Sequence, residues 1–160
     1  MEGWPSGLRR TPGKRVDSNV SGVRIPVPLP IEYFMSNVSD YIYHHIGIPT
    51  DIPQMKERYS KKFKMYSSYG DNQHRIQWHR FEDDCPLHPL IKTVPHVAFK
   101  VKNLDKAIEG KNVILEPYSP FKDFKVAMVE IDGAPVEYIE TSLSEQEIWN
   151  VDRHKDSVIY

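Results

Sequence analysis

The sequence predicts an α+β domain of two repeated β-α-β-β-β modules, with helices on one face of mixed sheets and the other face curled into a cup. Three observations predict it. First, a segment recurs: HIGIPTDI begins at His45 and HVAFKVKNL at His96, and repetition at this scale marks a duplicated supersecondary unit. Second, each copy pairs a histidine and alternating apolar residues with Asp51 or Asn103 at the position of a helix N-cap. Third, each copy is followed by short runs of alternating apolar residues separated by turn signals.

Taken in order, residues 1–34 stand apart. They hold five of the thirteen prolines and five Lys/Arg, without helical or alternating period. Their wording, WPSGLRRTPGKRV and then GVRIPVPLP, resembles peptides read from a transfer-RNA gene upstream of a true start. The expectation is a disordered, non-native leader with Met35 as initiator. A nucleic-acid arm is disfavoured, because Arg9, Arg10, Lys14, Arg15 and Arg24 are scattered and lack interleaved aromatics. The domain proper then spans 35–141. Module one (39–85) reads as a strand through His45, a helix over 53–61, and runs over 63–69 and 75–82 around GDN. That makes it one strand short. Module two (94–141) reads as a strand at His96, a helix over 104–109 stopped by Gly110, and strands over 112–116, 124–131 and 134–141. Residues 142–160 form a charged tail with a short helix at SEQEIW.

Bulk composition excludes several classes. With 39% hydrophobic and 27% charged residues the chain is that of a globular protein, and a net charge of -1 gives nucleic acid or an acidic membrane no reason to bind. No apolar run approaches the about 20 residues that span a bilayer, and no apolar signal segment opens the chain. A single cysteine, Cys85, allows no intrachain disulfide. A cytoplasmic, bacterial protein is the expectation.

Strand parity nominates the chemistry. Side chains alternate faces, so His45 and Gly47 oppose Ile46 and Ile48, His96 and Ala98 oppose Val97 and Phe99, and Glu137 opposes Val136 and Tyr138. The two histidines and the glutamate share the concave face, and nitrogen and oxygen donors on three strands suit a borderline divalent ion. Parity puts His44 on the opposite face as a structural residue, with Trp78 and Arg80 there as packing or an ion pair. His74, His88 and His154 receive no role. Cys85, beside two aspartates, reads as an exposed and unreactive loop thiol.

HVAFKVKNLDKAIEGK together with VAMVEIDGAPVEYIE resembles the second half of a vicinal oxygen chelate domain, the superfamily of glyoxalase I, methylmalonyl-CoA epimerase, extradiol dioxygenases and bleomycin-resistance proteins. WHRFEDDCPLHPLIKTVPHVAF is similar to a subfamily of small glyoxalase-like proteins. The resemblance covers about residues 41–141 and implies metal ligands at His45, Gln77 (with His79 as fallback), His96 and Glu137. The implied cofactor is one divalent ion: Zn, Ni, Co, Mn or Fe. Glu137 or a nearby base would move a proton next to a carbonyl, which is isomerase or lyase chemistry on a small molecule. Two other activities fit the same fold. One is an Fe(II) dioxygenase using His45, His96 and Glu137. The other is a non-catalytic sequestering protein with a cup lined by Tyr66, Tyr69 and Tyr118. The implied partners are a small-molecule substrate or ligand and, in a homodimer, a second copy.

Overall fold

The computed structural model describes residues 40–69, 73–150 and 157. The expectations for the leader, for Met35 and for the end of the tail therefore lie outside the described residues. Alternating apolar runs build β1 (Ile42–Pro49), β2 (Arg58–Ser60), β3 (Met65–Tyr69) and β4 (Ile76–Phe81), then β5 (His96–Lys100), β6 (Asn112–Phe121), β7 (Phe124–Ile131) and β8 (Ala134–Thr141). The described helices are short: α1 (Pro89–Thr93), α2 (Leu104–Ile108) and α3 (Glu145–Ile148).

All eight strands of the described residues join one mixed, curled sheet in the order β2-β3-β4-β1-β5-β8-β7-β6. The order is palindromic by module. Strands β1 and β5 pair antiparallel at the centre. Each has a parallel neighbour, β4 or β8, and then an antiparallel one, β3 or β7. A pseudo-twofold axis thus relates β1 to β5 and β4 to β8. This is the predicted α+β cup, made from one continuous sheet.

Module one departs from the prediction. Residues 53–61 form no helix; they supply β2, so the module has four strands and lacks its helix. The polar groups of this stretch are engaged elsewhere. Glu57 accepts from the Gln54 backbone N–H at 2.9 Å and holds Arg80 through two bonds of 3.1 and 2.6 Å. Lys56 adopts φ 58°, which no helix continues. In module two the predicted helix forms. The Asn103 side chain accepts from the Lys106 N–H, and Gly110 takes the left-handed φ of 69° just past its end. Strand β6 runs five residues beyond its predicted end, through Pro117 and Pro120. It sits at the sheet edge, where a missing N–H costs little.

Leu104 and Ala107 of α2 bury themselves on Ala127, Val129, Val136 and Tyr138, the outer face of module two. The tail covers part of the concave face. Ser144 and Glu147 form a reciprocal capping box, and Leu143, Ile148 and Trp149 pack on Ala98, Phe124, Val126 and Ile139. Each fully buried Leu or Ile here contributes on the order of 1.5–3 kcal/mol. Cys85 is buried rather than exposed. Its N–H bonds the Glu82 carbonyl at 3.0 Å and its own carbonyl accepts from Lys92 of α1 at 3.3 Å, which ties the loop against that helix.

Candidate metal centre

The sheet register places the candidate residues in two adjacent cross-strand rows. One row is Gln77, Gly47, His96; the other is His45, Ala98, Glu137. The pseudo-twofold exchanges the rows, so Gln77 in module one is the counterpart of Glu137 in module two. Each row has a small residue at its middle. Long side chains on either side can therefore lean inward over Gly47 and Ala98. A Cβ added at Gly47 would lie 2.0 Å from Cε1 of His96, so only glycine leaves the His96 ring its place.

The side chains of His45, His96 and Glu137 meet. His45 Nε2 lies 3.2 Å from Glu137 Oε2, His96 Nε2 lies 3.3 Å from the same oxygen, and the two nitrogens are 3.3 Å apart. Three contacts need three protons if hydrogen bonds alone are to hold them. Two Nε2 atoms and an ionised carboxylate supply at most two. One edge of the triangle must then set like groups against each other, unless a cation at the centre receives all three lone pairs. Tetrahedral ligands at about 2.0–2.1 Å from an ion stand about 3.3 Å apart. The donors and their spacing fit a divalent ion.

The electrostatics agree. Burial works to raise the Glu137 carboxyl, but the charges and hydrogen bonds of His45 and His96 outweigh it and hold the group well below the usual carboxylate range. Burial lowers His45, against the pull of Glu137. His79 is pushed down to about 3 by burial and then by its neighbours His96 and His45. A carboxylate that stays ionised, and His45 and His79 rings that burial disfavours as cations, are the states metal binding requires.

Both candidates for the remaining ligand, Gln77 and His79, line the same cavity. The ligand atoms of His45, His79 and His96 all lie within 4.8 Å of one another, so three buried imidazoles can share one ion. His79 Nδ1 lies 3.0 Å from Ser67 Oγ, a bond that turns Nε2 inward. Gln77 is buried on the same cavity wall. Gln77 Nε2 and His79 Nε2 are both buried without a hydrogen-bond partner among the described residues; the imidazole nitrogen can give a lone pair to an ion, whereas the amide would ligate through its oxygen. The cavity before them has room of about 50 Å³ for the centre of a water-sized sphere, enough for a few waters or a small polar group. Beyond the centre its walls are apolar: Phe63, Met65, Phe81, Leu115, Tyr118, Val126 and Met128, with Leu87 and Ile91 supplied by the inter-module segment.

Two expectations change here. His44 does not stand on the opposite face. The β1–β5 register slips between Tyr43 and His45, and this bulge turns His44 toward Phe124 and Trp149 on the concave side. Tyr66 does not line the cup; it lies opposite Arg80 in the register, with the guanidinium 3.8 Å above its ring. The side chain of Tyr69 lies outside the described residues, and Tyr118 faces the cavity as expected. The predicted ion pair of Arg80 is present, with Glu57. Sequence reading missed Leu87, Ile91 and His44. The doubled histidine at 44 and 45 was the only signal for the last.

No helix among the described residues is long and apolar enough to cross a membrane. No family model matches the chain, and no curated relative does. Among solved structures it is similar to methylmalonyl-CoA epimerase from Mycobacterium tuberculosis, at 11% identity and a TM-score of 0.43 over 66% of this chain and 89% of that one. It is also similar to the hypothetical protein BH1468 from Bacillus halodurans C-125, at 16% identity and a TM-score of 0.52 over 65% of this chain and 96% of that one. At such identity the likeness to BH1468 shows a shared fold.

Proposed function

We propose that the chain is a metal-dependent protein of the vicinal oxygen chelate type, acting by proton transfer next to a carbonyl of a small molecule. Its ion would be held by His45, His96 and Glu137, with Gln77 or His79 as fourth ligand. The observation that carries this reading is the triangle of 3.2–3.3 Å between donors from three strands. Held by these residues, a divalent ion would supply Lewis-acid polarisation of a carbonyl oxygen, lowering the cost of losing the adjacent proton. Glu137, or a nearby base, would receive that proton. The apolar walls exclude water from the reacting carbon and accept the non-polar part of the substrate. This reading gives the protein a small-molecule partner in the cytoplasm, no nucleic acid or membrane, and room for a homodimer.

The test is metal analysis of the purified protein. Wild type is expected to carry about one ion per chain, His96→Ala none, and His74→Ala the wild-type amount. Equal content in all three would overturn the ligand assignment. The tight grouping of two imidazoles and one carboxylate also favours a second reading, a facial triad for Fe(II) in a dioxygenase. Iron in the purified protein together with substrate-dependent oxygen consumption would select it.

A further inference from the structure

His44 is fully buried, 0% exposed, directly beside a proposed ligand. Its ring is clamped. It stacks on Trp149 with centroids 5.1 Å apart and planes at 22°, and it meets Phe124 edge-on at 6.0 Å. Trp149 is itself fixed, because its Nε1–H donates to Glu145 Oε2 at 3.1 Å. Glu145 is held by Arg75 at 2.9 Å and Lys100 at 3.3 Å. The tail outside the repeated modules thus sets the orientation of this imidazole.

From that fixed ring, Nδ1 lies 2.8 Å from Nδ1 of His45. Two ring nitrogens approach so closely only when a single proton lies between them; two lone pairs or two N–H groups would repel. His45 meets Glu137 and His96 through its other nitrogen. If that Nε2 gives its lone pair to an ion, a neutral His45 must carry its proton on Nδ1, and His44 Nδ1 is placed to accept it. We infer that His44 is a positioning residue: through one shared proton it fixes the plane and tautomer of His45, so that Nε2 is aimed at the centre. The inference rests on the metal reading above.

The experiment separates this role from simple packing. His44→Phe keeps an aromatic ring for Trp149 and Phe124 but has no acceptor, whereas His44→Asn loses the ring and keeps a hydrogen-bonding atom near Nδ1. Zinc affinity, measured by competition with a chromophoric chelator, is expected to fall about 10–100-fold in His44→Phe and to be largely recovered in His44→Asn. A packing role gives the reverse order, and that order overturns the inference. A second measurement needs no variant: nitrogen-15 NMR of the metal-free wild type should show one Nδ1-bound proton for the pair formed by His44 and His45. Two rings both protonated at Nε2 would overturn the inference alone. A wild type that takes up no zinc but shows the shared proton would instead remove the metal reading, leaving His44 to orient His45 toward Glu137.

Discussion

Replacing Gly47 by alanine adds one methyl group and tests the centre through its tightest contact. The new Cβ would stand 2.0 Å from His96 Cε1, 2.5 Å from Nε2 and 2.7 Å from Nδ1. Reaching an ordinary carbon contact of about 3.5 Å requires the ring to retreat by about 1.5 Å. It has little room to do so, with His79 stacked at 5.5 Å and His45 edge-on at 5.4 Å. Overpacking of this kind costs about 1–3 kcal/mol, while metal ligands tolerate errors of only about 0.2 Å. Gly47→Ala should therefore fold with a lowered thermal midpoint and bind no ion. The sign is diagnostic. Alanine replacing glycine inside a strand otherwise stabilises by about 0.5–1 kcal/mol, so Gly47→Ala made in a His96→Ala background should become neutral or stabilising. A single variant with the wild-type ion content and midpoint, or a double variant no more tolerant than the single one, would refute the close packing of His96 on Gly47.

Two further outcomes follow from the structure. His44 and His79 are held near pKa 3 against 6.5 by burial, so below pH 6.5 the unfolded chain binds protons that the folded one refuses. Stability should be full above pH 6.5 and fall as the pH drops toward 3, by about 1.4 kcal/mol per pH unit for each such group; urea midpoints of the metal-free protein between pH 7 and 4 would measure this, and a flat profile would contradict the burial of both rings. Ser144→Ala removes the cap of α3 and should cost about 1 kcal/mol, read as a lowered urea midpoint with an unchanged m-value.

The parts of this molecule legible in the sequence are those set by local rules. His45 and His96 stood out because a repeat put a histidine at the head of two similar segments, and Glu137 followed by counting alternate residues along β8. Asn103 and Gly110 marked α2 because capping and left-handed backbone are local requirements. What failed to show depended on partners distant in the chain. The bulge that turns His44 inward exists only in the pairing of β1 with β5. Glu57 gave no sign in its own segment that Arg80, 23 residues on, would claim it. Tyr66 was read as a ligand contact because aromatic residues suit a cup, whereas the register with Arg80 decides its face. Cys85 looked exposed from its acidic neighbours, and what buries it is the packing of its loop beside α1, a few residues on.

The pseudo-twofold makes the one asymmetry between the two rows informative. Across Ala98 from His45 stands a carboxylate, Glu137; across Gly47 from His96 the equivalent position holds an amide, Gln77. With neutral imidazoles, a divalent ion would keep a net charge of about +1 at such a centre, more than with two carboxylates, and so a stronger pull on a carbonyl oxygen. Gln77→Glu converts the second row into a copy of the first. In the absence of metal, two carboxylates would then face one buried cavity, so that one of them takes up a proton and stability falls. With metal present the second charge is neutralised. The variant should therefore melt below wild type in chelator yet gain more from added zinc, since each tenfold tightening adds about 1.4 kcal/mol of linked stability. Equal responses to zinc in the two proteins would mean that residue 77 lies outside the reach of the ion, and His79, with its inward Nε2, would then be the fourth ligand.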